Sequence, residues 1–194
     1  MAQDIRQFYQ SAKDRDFSRD FHMRVSLLTL PELDVQLTPA DLVYCKAASL
    51  PGRSITNVEV PYMGLNFNVP GTAIYDSSDA YELTFYMDDP GRRSGGLRAI
   101  FENATRNIFD DRTSTGLYRV PAQNSKIKLD VLDQGLGVTP LSFELVGASI
   151  RKIDPIEYKI AEGKGEVQEM KVTFAYHYYV VPGIGINDVG LASA

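Results

Sequence analysis

Apolar and polar residues alternate along most of the chain, which predicts strands. Phe21, Met23, Val25 and Leu27 alternate with His22, Arg24 and Ser26, giving a first strand that stops at Leu30-Pro31. The connector from Glu32 to Asp41 carries Leu33, Val35 and Leu37 at the spacing of a short extra strand. A second strand follows over Leu42–Ser49. It ends at Pro51, which cannot donate to a ladder and biases Leu50 toward extended geometry. From Pro51 to Asp79 the pattern predicts a long arm. Val58, Val60 and Tyr62 alternate with Glu59 and Pro61, and Leu65, Phe67 and Val69 alternate with Asn66 and Asn68, about a turn at Met63-Gly64. The chain re-enters a half-buried sheet with Tyr81, Leu83, Phe85 and Met87.

The period then changes. Leu97, Ile100, Phe101, Ala104 and Ile108 follow helical spacing behind a breaker-rich turn, with Ser94 as the expected N-cap. Residues 110–123 read as a polar loop. Ile127, Leu129 and Val131 alternate with Lys126, Lys128 and Asp130. A turn around Gly135-Leu136-Gly137 leads to a partner strand over Leu141–Ile150, and residues 153–165 are irregular. The last strand is the clearest: Met170, Val172, Phe174, Tyr176, Tyr178 and Val180 share one face, and Pro182 ends it. Together these elements predict a mainly β fold, a β-sandwich or barrel-like body with one flanking α-helix. The length of 194 residues suits one domain over 1–194, with an N-terminal arm over 1–20 and a Gly-rich tail over 181–194.

Composition narrows the function classes. The net charge of −5 argues against a basic protein that coats duplex DNA. One cysteine, Cys45, excludes an internal disulfide and reads as a buried inert thiol. His22 and His177 are placed on strand faces opposite the apolar stripe. No His/Cys/Asp/Glu spacing suits a metal, no G-x-S-x-G elbow exists, and the pairs Asp88-Asp89 and Asp110-Asp111 flank turns. No enzyme and no cofactor are expected. Arg92, Arg93 and Arg98 form a small basic cluster that suits a partner-subunit carboxylate better than a phosphate. The first ten residues lack the apolar core of a secretory signal, and no apolar run reaches the ~18 residues of a membrane span. Synthesis in the cytosol is expected.

The arm is the odd feature. A lone two-stranded ribbon is marginal in water, and an apolar face of that size marks an interface unless the arm folds back on its own body. Its residues also carry a resemblance. The run K-A-x-x-L-P (Lys46–Pro51), then V-x-Y-M (Val60–Met63), N-V-x-G (Asn68–Gly71), Asp76 and M-D-D (Met87–Asp89) resembles the tail tube protein of contractile-tailed, T-even-like bacteriophages. D-F-S-R-D-F (Asp16–Phe21) is similar to that family's lead into its first strand, and Phe143–Ala148 with Val172–Tyr179 to its closing strand pair. The likeness is loose over 90–140. The 29–41 connector is longer than the family's usual one, and the tail runs beyond many relatives.

That resemblance implies a structural virion protein whose copies close into hexameric rings stacked as a hollow tube inside a contractile sheath. It implies inter-subunit contacts at Leu50, Pro51, Val58, Val60, Tyr62, Met63, Leu65, Phe67, Val69 and Asp76, joined by Phe8 and Phe17 of the N-terminal arm. Sheath, baseplate, tail-terminator and tape-measure proteins are the implied partners, with genomic DNA passing through without specific binding. Six copies at −5 each would carry −30 per ring, which suits a conduit that does not grip phosphate. Two alternatives stay open: the tube of a type VI secretion or extracellular contractile injection system, and a monomeric β-sandwich binding module.

Overall fold

Two four-stranded antiparallel sheets share one core. The computed structural model describes residues 18–30, 33, 37–76, 78–88, 95–110, 115–116, 125–133, 135–137, 139–158 and 164–182. The first sheet has the order β1-β8-β9-β12, from β1 (Met23–Thr29), β8 (Lys126–Val131), β9 (Leu141–Val146) and β12 (Tyr178–Val180). The second has the order β10-β11-β5-β2, from β10 (Ser149–Ile153), β11 (Glu169–Ala175), β5 (Tyr81–Tyr86) and β2 (Cys45–Ala48). Among the described residues, β3 (Gly52–Tyr62) and β4 (Leu65–Asp76) pair only with each other, as do the short β6 (Phe109–Asp110) and β7 (Thr115–Gly116). One helical turn, α1 (Pro39–Leu42), and one longer helix, α2 (Gly96–Arg106), complete the described elements.

The alternation that predicts strands also predicts what they bury. Leu83, Phe85, Met170, Val172 and Phe174 from the second sheet meet Val25, Leu28, Ile127, Leu129 and Leu145 from the first. Helix α2 adds Leu97, Phe101 and Ala104, and the Phe101 ring lies 5.4 Å from Phe85 and 6.3 Å from Phe174. The expected β-sandwich with a flanking helix is what the chain forms.

Several elements differ from the sequence expectation, each for a local reason. Strand β1 carries a bulge between Val25 and Leu27, so Val25 and Leu28 face the core while Leu27 turns outward. His22 precedes the strand and is buried, its carbonyl accepting from Leu132 N–H at 2.8 Å, whereas Phe21 is exposed. The second strand begins at Cys45 rather than Leu42, because Asp41 accepts from the Thr38 backbone and hydroxyl at 2.8 and 2.7 Å and holds Pro39–Leu42 as a helical turn. In the connector Leu33 and Leu37 are buried, and Val35 lies outside the described residues.

Helix α2 has Gly95, not Ser94, at its N-cap, and its open Leu97 N–H is met at 2.7 Å by Asp88 Oδ1 from the end of β5. Arg92 and Arg93 of the expected basic cluster lie outside the described residues; Arg98 pairs with Glu102 and donates to the Asp154 carbonyl. The two closing strands each break in the middle. Leu141–Val146 belongs to the first sheet and Ser149–Ile153 to the second; Glu169–Ala175 and Tyr178–Val180 divide in the same way.

Candidate assembly surface

The arm is a β-hairpin. Tyr62 pairs with Leu65 across a two-residue turn in which Met63 has φ 49 and Gly64 has φ 78, the left-handed pair that a type I′ turn requires. Gly64 takes that conformation freely; Met63 does not, and it stands 86% exposed at the tip. From the turn the register runs Val60 with Phe67 and Val58 with Val69, so Val58, Val60, Tyr62, Leu65, Phe67 and Val69 form one continuous apolar stripe. All six are exposed, by 44% at Val60 and by 63% at Tyr62. The hairpin does not fold its apolar face onto the body.

The other face is polar and carries a single charge. Asn57, Glu59, Pro61, Asn66, Asn68 and Pro70 occupy it, and Glu59 is the one charged residue between Arg53 and Asp76. The outer face of the second sheet is different in kind. There Lys46 pairs with Glu169 and Lys171 with Glu82, the exposed cross-strand pairs of a surface that stays in water. Midway along the arm a bulge between Ile55 and Asn57 turns Thr56 onto Gly71. The Thr56 hydroxyl accepts from Thr72 N–H at 2.9 Å, and a Cβ on Gly71 would lie 2.5 Å from it.

The base of the arm is tied down by residues that the sequence pattern does not single out. The Arg53 guanidinium lies over the rings of Tyr75 (6.0 Å) and Tyr179 (5.4 Å), which themselves meet edge to face at 5.5 Å. The Tyr176 hydroxyl donates to the Asp76 carbonyl at 3.0 Å, Ser54 Oγ to Asp76 Oδ1 at 3.2 Å, and the Tyr81 hydroxyl to the Ser49 carbonyl at 2.6 Å. Burial raises the Tyr81 and Tyr176 hydroxyls above their ordinary range, so both stay protonated donors at neutral pH. The signal for this anchor was the aromatic run of β11–β12, legible as a strand face but not as a clamp.

Of the sequence-predicted contact residues, Leu50 is exposed at the foot of the arm, Pro51 is half-buried and Asp76 closes β4. Phe8 and Phe17 lie outside the described residues. Among the described residues no three His, Cys, Asp or Glu side chains are grouped to hold a metal, and no helix is long and apolar enough to cross a membrane.

A family model described as phage tail tube protein matches residues 36–182, which takes in the arm, α2, the second sheet and all of the first sheet except β1. The chain belongs to the phage tail tube protein family. Solved structures share the fold at low identity. A chain of the anti-feeding prophage baseplate aligns at TM-score 0.57 and 12% identity over 89% of this chain and 99% of that one. A chain of the anti-feeding prophage tube-terminating cap aligns at 0.54 and 14% over 86% and 91%. A chain of the sheath–tube complex of an extracellular contractile injection system aligns at 0.52 and 11% over 89% and 95%. No curated protein sequence matches the chain.

Proposed function

We propose that the chain is the repeating subunit of the inner tube of a contractile phage tail. Copies close into hexameric rings, rings stack inside the sheath, and the hollow tube conducts DNA into the host. The observation that carries this reading is the arm: a ribbon with six exposed apolar residues on one face and a single charge between Arg53 and Asp76, anchored among the described residues only at its base. Exposed apolar surface of this extent is held in soluble proteins for a partner. A contact that joins unlike patches and repeats by rotation and translation builds a tube.

The arm then packs on a neighbouring copy through Val58, Val60, Tyr62, Met63, Leu65, Phe67 and Val69, with Leu50, Pro51 and Asp76 at its foot. Phe8 and Phe17 add contacts from the N-terminal arm. Sheath, baseplate and tail-terminator proteins bound the tube, and the tape-measure protein and DNA pass through it without specific binding. The whole chain acts as one domain, is made in the host cytoplasm and works in the virion.

The second reading keeps the same assembly and changes the cargo. The fold likeness to chains of the anti-feeding prophage and of an extracellular contractile injection system supports the tube of such an injection system, in which an effector would take the place of DNA. The identity of what co-purifies inside tubes separates the two.

Negative-stain electron microscopy of purified protein across a concentration series tests the assembly itself. Wild-type protein is expected to form rings or hollow tubes. Val60→Asp, which sets a charge on the apolar stripe, is expected to give a folded subunit that forms none. Tubes of unchanged abundance in Val60→Asp would sink the reading.

A further inference from the structure

We propose that Pro61 and Pro70 close the two free edges of the arm, so that other copies of the chain meet the ribbon on its faces and never by strand addition. This rests on the reading that the arm joins copies. It adds the direction from which they join.

The register decides which way each backbone group points. In a hairpin with a two-residue turn the residues flanking the turn, here Tyr62 and Leu65, exchange both backbone hydrogen bonds. Alternate pairs follow: Val60 with Phe67 and Val58 with Val69 turn their N–H and C=O groups inward to each other. The intervening pairs, Pro61 with Asn66, Glu59 with Asn68 and Asn57 with Pro70, turn theirs outward to the free edges. Both prolines of the paired segment occupy outward positions, Pro61 on the edge of β3 and Pro70 on the edge of β4. Each edge has lost one donor and gained a ring where an approaching strand would lie.

The placement answers a specific hazard. β3 and β4 are 11 and 12 residues long, rich in Val, Ile, Tyr and Thr, and carry one charge between Arg53 and Asp76. Long, exposed, uncharged strands with two unpaired edges add further strands of their own kind. Three of the four edge strands of the body sheets, β1, β2 and β10, carry register shifts instead, and the fourth, β12, is only three residues long. The arm has its bulge midway, at Thr56, and from there to the tip its two edges depend on Pro61 and Pro70.

Opening one edge and opening both have different geometric consequences. A single open edge lets two copies join like edge to like edge and stop, whereas two open edges let addition continue without limit. The full-length protein is therefore compared with Pro61→Val, Pro70→Val and the double variant, below the concentration at which wild type assembles. Circular dichroism checks the fold, sedimentation velocity the size, and thioflavin T fluorescence cross-β structure. Wild type is expected to stay monomeric and dark, each single variant to give a discrete dimer, and the double variant to give growing, thioflavin-positive fibrils.

Relocation separates edges from faces. Adding Glu59→Pro and Asn68→Pro to the double variant restores a proline at the neighbouring outward position of each edge while removing the arm's charge. Loss of the fibrils is expected. A double variant with wild-type size and no thioflavin signal, or a relocated variant that still forms fibrils, overturns the proposal. Neither result depends on whether tubes form, which the Val60→Asp comparison decides separately.

Discussion

Cys45 sits half-buried at the start of β2, packed against the core, with its Sγ 3.7 Å from the Ala47 carbonyl. Burial pushes the thiol up to about 11 from 9.0, and the Ala47 hydrogen bond offsets only part of that. The folded state therefore holds the neutral thiol where the unfolded chain would ionise. Stability from this residue is whole below pH 9 and is lost as pH rises from 9 toward 11. The unfolding midpoint should stay flat from neutrality to about pH 9 and then fall, with the fall shallower in Cys45→Ala. A thiol reagent at pH 8 should label the folded protein far more slowly than the protein in urea; equal rates would contradict the burial. The placing of the thiol against the core was legible from one cysteine within an apolar run, although the side chain is half-buried rather than buried. His22 was not: strict alternation set it opposite Met23 and Val25, but it precedes β1, and there the bond from Leu132 N–H to its carbonyl holds it inside.

Between elements, the corners carry the information that a strand pattern hides. Residues 141–153 and 169–180 run antiparallel along their length, with Val146 opposite Tyr178 on the first sheet and Ser149 opposite Ala175 on the second. They bend together from one sheet to the other, joined at the bend by His177 N–H donating to the Val146 carbonyl at 2.9 Å. Period-two alternation continues through Tyr176 and Tyr178, so the sequence reads as one strand where there are two. Gly147 makes the bend possible. Its φ is +73, and a Cβ there would lie 2.1 Å from His177 Cδ2. Gly147→Ala should lower the unfolding free energy by about 1–3 kcal/mol from backbone strain alone, with the overlap adding to it. In urea denaturation, Gly147→Ala/His177→Ala should recover the overlap and leave the strain. Full recovery would mean that the backbone accepts alanine. The turn of the arm was legible to the residue because it occupies two positions and the alternation restarts cleanly on either side, whereas the hairpin ends at Asp76 rather than at Asp79. The Arg53–Tyr75–Tyr179 anchor joins residues more than a hundred positions apart, and no local pattern reports it.

At the scale of the whole molecule, the arm makes assembly a question of surface area. The sequence names the apolar stripe but not what covers it, because a covering surface would belong to another molecule. Its contribution can nevertheless be graded. Phe67 is 50% exposed, and covering the free half of a phenyl side chain removes about 100 Å² from water. At ~25 cal/mol per Å², and allowing for what alanine retains, Phe67→Ala should cost about 1.5–2 kcal/mol per contact. That corresponds to a rise of ~10- to 30-fold in the protein concentration needed for tube growth, read by pelleting across a dilution series. Glu59→Ala alters the opposite face of the same ribbon, where Asn57, Asn66 and Asn68 leave little apolar surface to bury. It should change that concentration by less than about twofold, as surface substitutions away from a contact do. The comparison assigns the face: a large shift at Glu59 with none at Phe67 would place the neighbouring copy on the polar side of the ribbon and leave the apolar stripe for the sheath.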